Sequence, residues 1–500
     1  MLENIIQGIE IVISYPTYLF VIVGLVLGII IGAIPGIGPI IGMAILLPLT
    51  APLEGVNVII MFIMIYLGGM YGGSIAAILI NTPGTAGAAA TTFDGYPMSK
   101  KGRAKDALAI SAVASSAGGI ISLVILFLVL PIVTTIVLAF GSPEYFLIAL
   151  LGIVMITIVA EGALLKGLTV GSFGLLITTV GVAPMTLDFR YPIHGALYDG
   201  ISFVAVLIGL FAISEMLQLA GKQGTIASEN EGGGVSGSIW DGALEVVRRP
   251  FTVLKSGLIG MSIGAIPGAG GSVSNFIAYA ETLRSDKNPD SFGDGNPRGV
   301  MSSEASNSAT VAGSLIPTLS FGIPGSGTTA VLLGALILHG IQPGPSLFAE
   351  NIQITYSFLF ALVLGNLLIL TLGLTIITKA GIITRIDVNQ IIPLVIILAV
   401  YGAINLRINF IDIVTLLLFG VIGFYMVKHD YSIIALVLGV VLGRIAEANL
   451  YRSLQLSGGE LSIFVSPSQP LSLLLTISIV LLLFLPITLP YIRKISTNYI

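Results

Sequence analysis

Two short stretches of almost the same sequence could bind a ligand through exposed backbone groups. "IGAIPGIGP" runs from Ile31 to Pro39, and "IGAIPGAGG" runs from Ile263 to Gly271. Proline removes a backbone donor and breaks a helix, whereas glycine permits the turn and lets a ligand approach the main chain. A helix that restarts after such a break presents free N–H groups and a partial positive charge, which attract carboxylates and other anions. Carbonyl groups at the broken ends can coordinate a cation.

A second motif is also present twice. "LINTPGTAG" (79–87) and "SFGIPGSGTT" (320–329) share a Pro-Gly pair followed by threonine or serine, and each follows one copy of the first motif. The side chains around all four breaks are neutral donors and acceptors, which suit a ligand that must be released again. We also predict that Na⁺ could bind near Asn81, Asn275 and Asn307, together with the carbonyls of the broken helices. The predicted substrate- and ion-binding residues are Pro35, Gly36, Gly38, Asn81, Thr82, Gly84, Thr85, Gly268, Gly270, Ser272, Ser274, Asn275, Asn307, Gly325, Ser326 and Thr328.

The composition places these motifs in a membrane protein. Of the 500 residues, 55% are hydrophobic and 9% are charged, and the mean hydropathy is +1.04, whereas soluble chains carry about 25% charged residues. Apolar runs long enough to cross a bilayer recur along the sequence, which predicts an all-α polytopic membrane protein. The chain has no cysteine, no phosphate-binding GxxxxGK[ST] loop and no histidine spacing suited to zinc. We therefore expect no cofactor, no enzyme activity and no nucleic-acid binding.

Positive charges predict the topology, because cytoplasmic loops are enriched in lysine and arginine. "MSKKGRAK" (98–105) is strongly basic, and both flanks of 251–282 are basic, so that segment should enter and leave on the cytoplasmic side. The segment 17–51 has no basic flank and should form the same re-entrant hairpin from the opposite face. The resulting prediction is about eleven full crossings plus two hairpins. Four basic residues do not fit this map: Arg190, Arg407, Arg444 and Arg452. On the helix face that carries Arg444, we expect a local pair with Glu447.

The flanking charge reverses between the two copies of each motif, which is typical of an inverted-topology repeat. Residues 1–220 would form the first half, with a re-entrant hairpin and a broken transmembrane helix. A Gly/Ser-rich cytoplasmic linker, 221–250, would join it to the second half with the C-terminal helices, 251–500. A simpler alternative is that glycine, serine and proline serve only the close packing of membrane helices.

At these motifs the sequence resembles the large membrane subunit of the tripartite tricarboxylate transporter family. Glu304 and Asn307 in "SSEASNSA" match the "APEAANNA" pattern that is frequent in that family. The resemblance implies a multi-pass protein of the cell (inner) membrane that works with a small four-helix membrane subunit and a periplasmic solute-binding protein. It also implies import of citrate or other carboxylates. The motifs that carry the resemblance are "GAIPGIGP", "NTPGT", "FDGYPMSKKGRA", "GAIPGAGG", "SEASNSA" and "IPTLSFGIPGSGTTAVLLGALILHGIQPGP".

The sequence and the resemblance together predict a secondary transporter permease that imports a small carboxylate with Na⁺ or H⁺ as the coupling ion. By analogy with other two-hairpin carboxylate transporters, an elevator motion would carry the substrate. The chain could also form a homo-oligomer. A passive anion channel is the main alternative, since re-entrant loops also build selectivity filters. A membrane-embedded enzyme is a third possibility, which no nucleophile–base pair or metal cluster in the sequence supports.

Overall fold

The computed structural model describes residues 2–159, 164–191, 193–220, 236–268, 270–376 and 388–496. These residues are mostly helical, with turns and connections between the helices. The strands among the described residues are one pair of two-residue antiparallel strands, β1 (Gly181–Val182) and β2 (Phe189–Arg190). The helices of the first half are α1 (Leu2–Ile13), α2 (Thr17–Ala33), α3 (Gly38–Leu46), α4 (Gly55–Ile80), α5 (Ala89–Lys100), α6 (Ala104–Ala139), α7 (Ser142–Val159), α8 (Leu164–Thr178), α9 (Phe203–Ile208) and α10 (Ser214–Ala220).

The remaining helices are α11 (Ile239–Val247), α12 (Pro250–Gly264), α13 (Gly270–Arg284), α14 (Pro297–Phe321), α15 (Gly327–Leu338), α16 (Pro345–Phe348), α17 (Ile352–Ile376), α18 (Val388–Arg407), α19 (Phe410–Lys428), α20 (Ile433–Leu456) and α21 (Pro470–Ser496). A π-helical segment, Gly209–Ile213, joins α9 to α10. Both predicted hairpin segments therefore consist of two helices with a short break, α2 and α3 in one and α12 and α13 in the other. In each pair the two helices contact each other.

Two helices, α4 and α14, form the centre of the bundle. Every residue of α4 from Asn57 to Ile78 is buried, as expected for a helix that is apolar on all sides. Helix α14 is almost as completely buried, although it is rich in serine, threonine and asparagine. Polar residues inside a membrane bundle are costly unless they pair or serve a function. The polar side chains of α14 are therefore the candidates for a functional site.

Each hairpin packs on the central helix of its own half through glycines. A Cβ atom added at Gly24, Gly28 or Gly32 of α2 would lie 2.2–2.5 Å from a carbonyl oxygen of α4. In the second half, a Cβ at Gly260 of α12 would lie 2.3 Å from the Ser306 carbonyl of α14. Such close backbone approach is the usual role of small residues at membrane helix interfaces. The alternative of close packing thus holds for these glycines.

The pattern of helix contacts repeats between the halves. The short helix before the first hairpin, α1, packs on α17, and the short helix before the second hairpin, α11, packs on α6. Helix α17 also contacts α4, just as α6 contacts α14. Helix α11 occupies part of the predicted linker, while the linker residues 221–235 lie outside the described residues.

Six helical spans of the described residues are long and apolar enough to cross a membrane, with α9, the π-helical segment and α10 counted together as the span Phe203–Ala220. The number is seven if α1 and α2, which meet at 66°, count as one bent span. The chain is therefore a multi-pass helical protein. Five further helices, α7, α8, α15, α18 and α21, contain shorter apolar segments. The eleven crossings, the two re-entrant hairpins and the inverted orientation of the halves stay predictions.

Three of the four arginines that did not fit the charge map lie at one connection, the described residues between α8 and α9. Arg190 belongs to this connection, and Arg407 and Arg444 donate to its carbonyl groups at Gly200 and Asp199. The Arg190 guanidinium donates to both carboxylate oxygens of Glu447, at 2.8 and 3.0 Å, and this raises the pKa of Arg190. Arg407 binds Asp412, and Arg444 donates to the carbonyl of Asp199 at 3.4 Å. The expected local pair between Arg444 and Glu447 is therefore wrong, because Arg190 offers Glu447 two parallel bonds.

Candidate functional site

The four breaks have matching backbone conformations in the two halves. At the hairpin breaks, Gly36 and Gly268 have φ of +86° and +81°, and Gly38 and Gly270 have φ of +53° and +59°. The other two breaks follow α4 and α14, and we call them the first and the second crossing break. Asn81 caps the end of α4 with φ +56°, and Gly322 caps the end of α14 with φ +68°. These left-handed conformations favour glycine or asparagine and end the helices where the sequence predicts.

The glycine of each Pro-Gly-Thr/Ser motif packs on the hairpin of its own half. A Cβ at Gly84 would lie 1.8 Å from the carbonyl of Gly32, and a Cβ at Gly325 would lie 3.0 Å from that of Gly264. The backbone groups at these positions are paired inside the protein, since Gly84 N–H donates to the Gly73 carbonyl and Gly268 N–H donates to the Gly325 carbonyl. Both motif glycines are buried and hold the break against the hairpin.

The hydroxyl groups that follow the Pro-Gly pairs cap the helical turns that restart there: Thr85 caps the 3-10 turn Ala86–Ala88, which leads into α5, and Ser326 caps α15. Thr85 accepts a bond from Ala88 N–H at 3.3 Å, and Ser326 accepts one from Thr329 N–H at 3.3 Å. Thr329 in turn accepts from Ser326 N–H, which completes a capping box. Each cap satisfies one N–H group of its helix and leaves the helix dipole in place.

The predicted residues Asn275 and Asn307 meet in a buried amide node, which also contains the backbone of Gly87 and Met70. Asn275 Nδ2 donates to the Gly87 carbonyl at 2.5 Å and to Asn307 Oδ1 at 3.0 Å. Asn307 Nδ2 donates to the Met70 carbonyl at 3.0 Å. Asn307 is 1% exposed and Asn275 is fully buried. The amide node therefore joins the second hairpin and α14 to the first crossing break and α4, so it connects both halves.

Gly87 allows this approach. A Cβ atom there would lie 2.5 Å from Asn307 Oδ1 and 2.8 Å from the Met70 methyl group. Next to the node, the hydroxyls of Ser274 and Thr310 lie 2.7 Å apart, which ties the second hairpin to α14 once more. The amide oxygens and hydroxyls are neutral, so the node can orient an anion or a cation without a fixed charge.

A second polar node lies at the other crossing break. The Tyr66 hydroxyl on α4 is 3.2 Å from the Ser314 hydroxyl on α14 and 3.4 Å from the Ser326 hydroxyl that caps α15. Tyr66 is 1% exposed. Each central helix thus contributes a polar side chain that bonds to the other central helix. Asn307 of α14 donates to the Met70 carbonyl of α4, and Tyr66 of α4 bonds to Ser314 of α14.

The structure joins some of the predicted site residues and separates others. The hydrogen bonds of the amide node do not include Asn81, which is exposed at the end of α4, and Thr82 Oγ1 donates to the nearby Ile80 carbonyl. Pro35 is buried at the first hairpin tip, while Gly36 is exposed beside Leu219. Thr328 is buried in the first turn of α15, and the side chain of Ser272 lies outside the described residues.

Sequence reasoning missed Gly87, Met70 and Tyr66. Met70 contributes a carbonyl and a methyl group, and Tyr66 lies inside an apolar run, so neither carries a local signal of its role. Within the described ranges, no group of three His, Cys, Asp or Glu side chains is placed to hold a metal ion.

Comparison with known proteins gives one family. A family model described as "Tripartite tricarboxylate transporter TctA family" matches residues 18–438. An uncharacterized 52.8 kDa protein in the TAR-I ttuC' 3' region of Agrobacterium vitis is 32% identical over 421 residues, which are 84% of this chain and 83% of that protein. A second protein of the same organism, in the TAR-II ttuC' 3' region, is 32% identical over 228 residues, 45% of this chain and 94% of its own. No solved structure matches.

Proposed function

Since the chain belongs to the tripartite tricarboxylate transporter TctA family, we propose that it is the permease that carries a small carboxylate, such as a citrate-like tri- or dicarboxylate, into the cell. Transport would be driven by a Na⁺ or H⁺ gradient. The family is a transporter family, and the proposal assigns the chain no catalysis of its own. We also propose the inner membrane as its location, and a solute-binding protein and a small membrane subunit as its partners.

The observation that carries the proposal is the amide node of Asn275, Asn307, Gly87 and Met70. Buried asparagines in a membrane bundle are expensive unless they serve a function. Here they lie where a hairpin tip, a helix break and the two central helices meet. A carboxylate that entered beside the node would meet amide donors and a helix N-terminus, and a cation would meet the oxygens of Gly87, Met70 and Asn307.

The glycine contacts support an elevator-type motion. Because the hairpins approach the central helices to within backbone contact, α2 with α4 and α12 with α14 should move as rigid pairs. The site lies inside this rigid body, so substrate would move together with it. The outer helices α7, α8, α20 and α21 contact one another and form a separate group that could serve as the static scaffold.

The decisive experiment is accumulation in proteoliposomes. The chain would be reconstituted with a small four-helix membrane subunit of the same family, and a solute-binding protein of the family would be added outside with radiolabelled citrate, malate or succinate. We expect internal substrate to exceed the external concentration when an inward Na⁺ or H⁺ gradient is imposed, and to fall when the gradient is collapsed. A passive anion channel would only bring the substrate to its electrochemical equilibrium. The absence of gradient-driven accumulation for every carboxylate tested would refute the proposal.

A further inference from the structure

Glu304, one turn from the amide node, lies in a closed cage of hydroxyl groups. Its Oε1 accepts a hydrogen bond from Thr91, and its Oε2 accepts bonds from Ser111 at 2.9 Å and from Ser115 at 3.0 Å. The Ser74 hydroxyl, which donates to the Met70 carbonyl at 3.4 Å, faces the same carboxylate. Glu304 and all four hydroxyl residues are buried, with at most 1% exposed. We call Glu304 with these four residues the hydroxyl cage.

The cage contains no positive charge to balance an ionised carboxylate. Among the ion pairs formed by the described residues, none includes Glu304. An unpaired buried charge is strongly unfavourable, and such a group usually binds a proton or a counter-ion. The hydroxyl oxygens of Thr91, Ser111 and Ser115 lie at hydrogen-bond distance from the carboxylate itself. A proton on the carboxyl group fits this arrangement without moving any of them.

Hydroxyl groups suit a carboxyl that changes its protonation state. A serine or threonine O–H can rotate, so it donates to the ionised carboxylate and can accept from the protonated carboxylic acid. The cage can therefore hold Glu304 in both forms without losing its hydrogen bonds. A shell of ammonium groups or backbone N–H groups could not do so, since those groups only donate.

The other titratable groups on the packed helices have their own surroundings. Asp94 on α5 accepts bonds from the backbone N–H groups of the 293–296 loop and from Tyr279 of α13. Asp106 on α6 binds Arg103. Tyr71 on α4 also faces the cage. None of the ion pairs formed by the described residues includes Tyr71. The remaining charged groups on elements that contact α14 are Lys100 on α5, Lys105 on α6 and Asp241 on α11. The others belong to ion pairs: Arg298 and Asp286, Lys255 and Glu281, Glu281 and Arg284, and Glu245 and Arg249.

Three elements connect the cage to the amide node, each across about one helical turn. On α14, Glu304 is three residues from Asn307. On α4, Ser74 is four residues from Met70, and at the first crossing break Thr91 is four residues from Gly87. A change in the charge of Glu304 would therefore reach the amide node through three rigid connections.

From this geometry we propose that Glu304 binds one proton in the hydroxyl cage and releases it during each transport cycle, so that proton binding is coupled to the carboxylate at the amide node. Protonation forms an O–H bond on the carboxylate with a proton taken from water on one side. Deprotonation returns that proton to water on the other side. The proposal rests on the proposed transport function, and it selects H⁺ as a coupling ion.

Two measurements on Glu304→Gln test the proposal. The first is infrared difference spectroscopy of the purified chain between high and low pH. The wild type should show the C=O band of a protonated carboxyl that disappears as the pH is raised, and Glu304→Gln should lack it. The second uses proteoliposomes with radiolabelled citrate, malate and succinate. Glu304→Gln should still exchange internal for external substrate, but it should lose accumulation driven by a pH gradient and substrate-linked acidification of a trapped dye.

Glu144→Gln is the matched control. Glu144 is also buried and bonded to a hydroxyl, that of Ser472, but it lies at the start of α7 outside the cage and the amide node. We expect it to keep both the pH-dependent band assigned to Glu304 and gradient-driven accumulation. If Glu304→Gln does not fold, Thr91→Val tests the same cage. It removes one donor to the charged form, so the band should disappear at a higher pH than in the wild type.

The outcomes separate the two proposals. Full pH-driven accumulation by Glu304→Gln, or an infrared band that the substitution leaves intact, would overturn the role of Glu304 and leave the transport function standing. Strictly Na⁺-driven uptake without proton movement in the wild type would overturn it as well. A wild type that neither exchanges nor accumulates any of the carboxylates would instead reject the proposed function, and the coupling role with it.

Discussion

Replacing Asn307 with alanine should remove substrate binding at little cost in stability. The substitution deletes two hydrogen bonds, one to the Met70 carbonyl and one from Asn275, each 3.0 Å long. Bonds between membrane helices contribute about 0.6 kcal/mol on average, so the loss in stability should be about 1–2 kcal/mol. A hydrogen bond to a charged ligand is worth about 1.5–3 kcal/mol, which corresponds to roughly a 10- to 150-fold loss of affinity. Binding should therefore fail long before folding does.

The assay compares carboxylate affinity, by calorimetry on the purified chain, with gradient-driven uptake and with the thermal unfolding midpoint. Ser302→Ala is the matched control, because Ser302 is fully buried on the same helix but donates only to the Gly299 carbonyl one turn away. Asn275→Ala should resemble Asn307→Ala. Wild-type affinity and uptake in both asparagine variants would refute the assignment of the amide node. A fall in unfolding midpoint that accounts for the lost uptake would refute it too.

Three further substitutions test the elements that position the site. Gly28→Leu should destabilise the chain by about 1–3 kcal/mol, because its Cβ would lie 2.5 Å from the Ile65 carbonyl oxygen. Its control is Val26→Leu, an exposed position on the same helix, which should leave the thermal unfolding midpoint unchanged. Asp94→Asn weakens three bonds from the 293–296 loop, so limited proteolysis should cut there faster, and an unchanged rate would contradict this. Arg190→Lys loses the pair of parallel hydrogen bonds to Glu447. Since the two side chains are 29% and 15% exposed, the free energy of unfolding should fall by up to about 1 kcal/mol. Raising the salt concentration should shrink the difference in stability between this variant and the wild type.

The breaks could be placed from sequence because proline and glycine act locally. Pro-Gly pairs end a helix wherever they occur, and the conformations of Gly36, Gly268 and Asn81 follow from that. Which side chains meet across the bundle is not a local property. Asn275 and Asn307 were predicted as site residues, but their contact with Gly87 depends on the packing of the second hairpin against the first crossing break.

Glycine shows the same limit. The motif glycines Gly84 and Gly325 were predicted to approach a ligand, and in the structure their close neighbours are protein backbone. Gly87, which ends the "LINTPGTAG" motif but is not among the predicted site residues, is the glycine that lies against the two asparagines. A position needs glycine when another atom approaches the backbone closely or when φ is positive. The sequence context does not say which atom approaches. The choice between packing and binding therefore needed the three-dimensional contacts.

The two halves share their breaks but not their polar nodes, and this difference locates the site. Asn307 lies 18 residues before Gly325, and the residue 18 before Gly84 is Tyr66. Asn275 lies seven residues after Gly268, and the residue seven after Gly36 is Met43, which is fully buried. The repeated motifs thus build two similar broken frames, while at these two compared positions amide side chains occur in only one of them. Backbone geometry alone would make two similar sites, so the difference between them comes from the side chains. A ligand would meet the amides of Asn275 and Asn307 at the break after α4, and the hydroxyls of Tyr66, Ser314 and Ser326 at the break after α14.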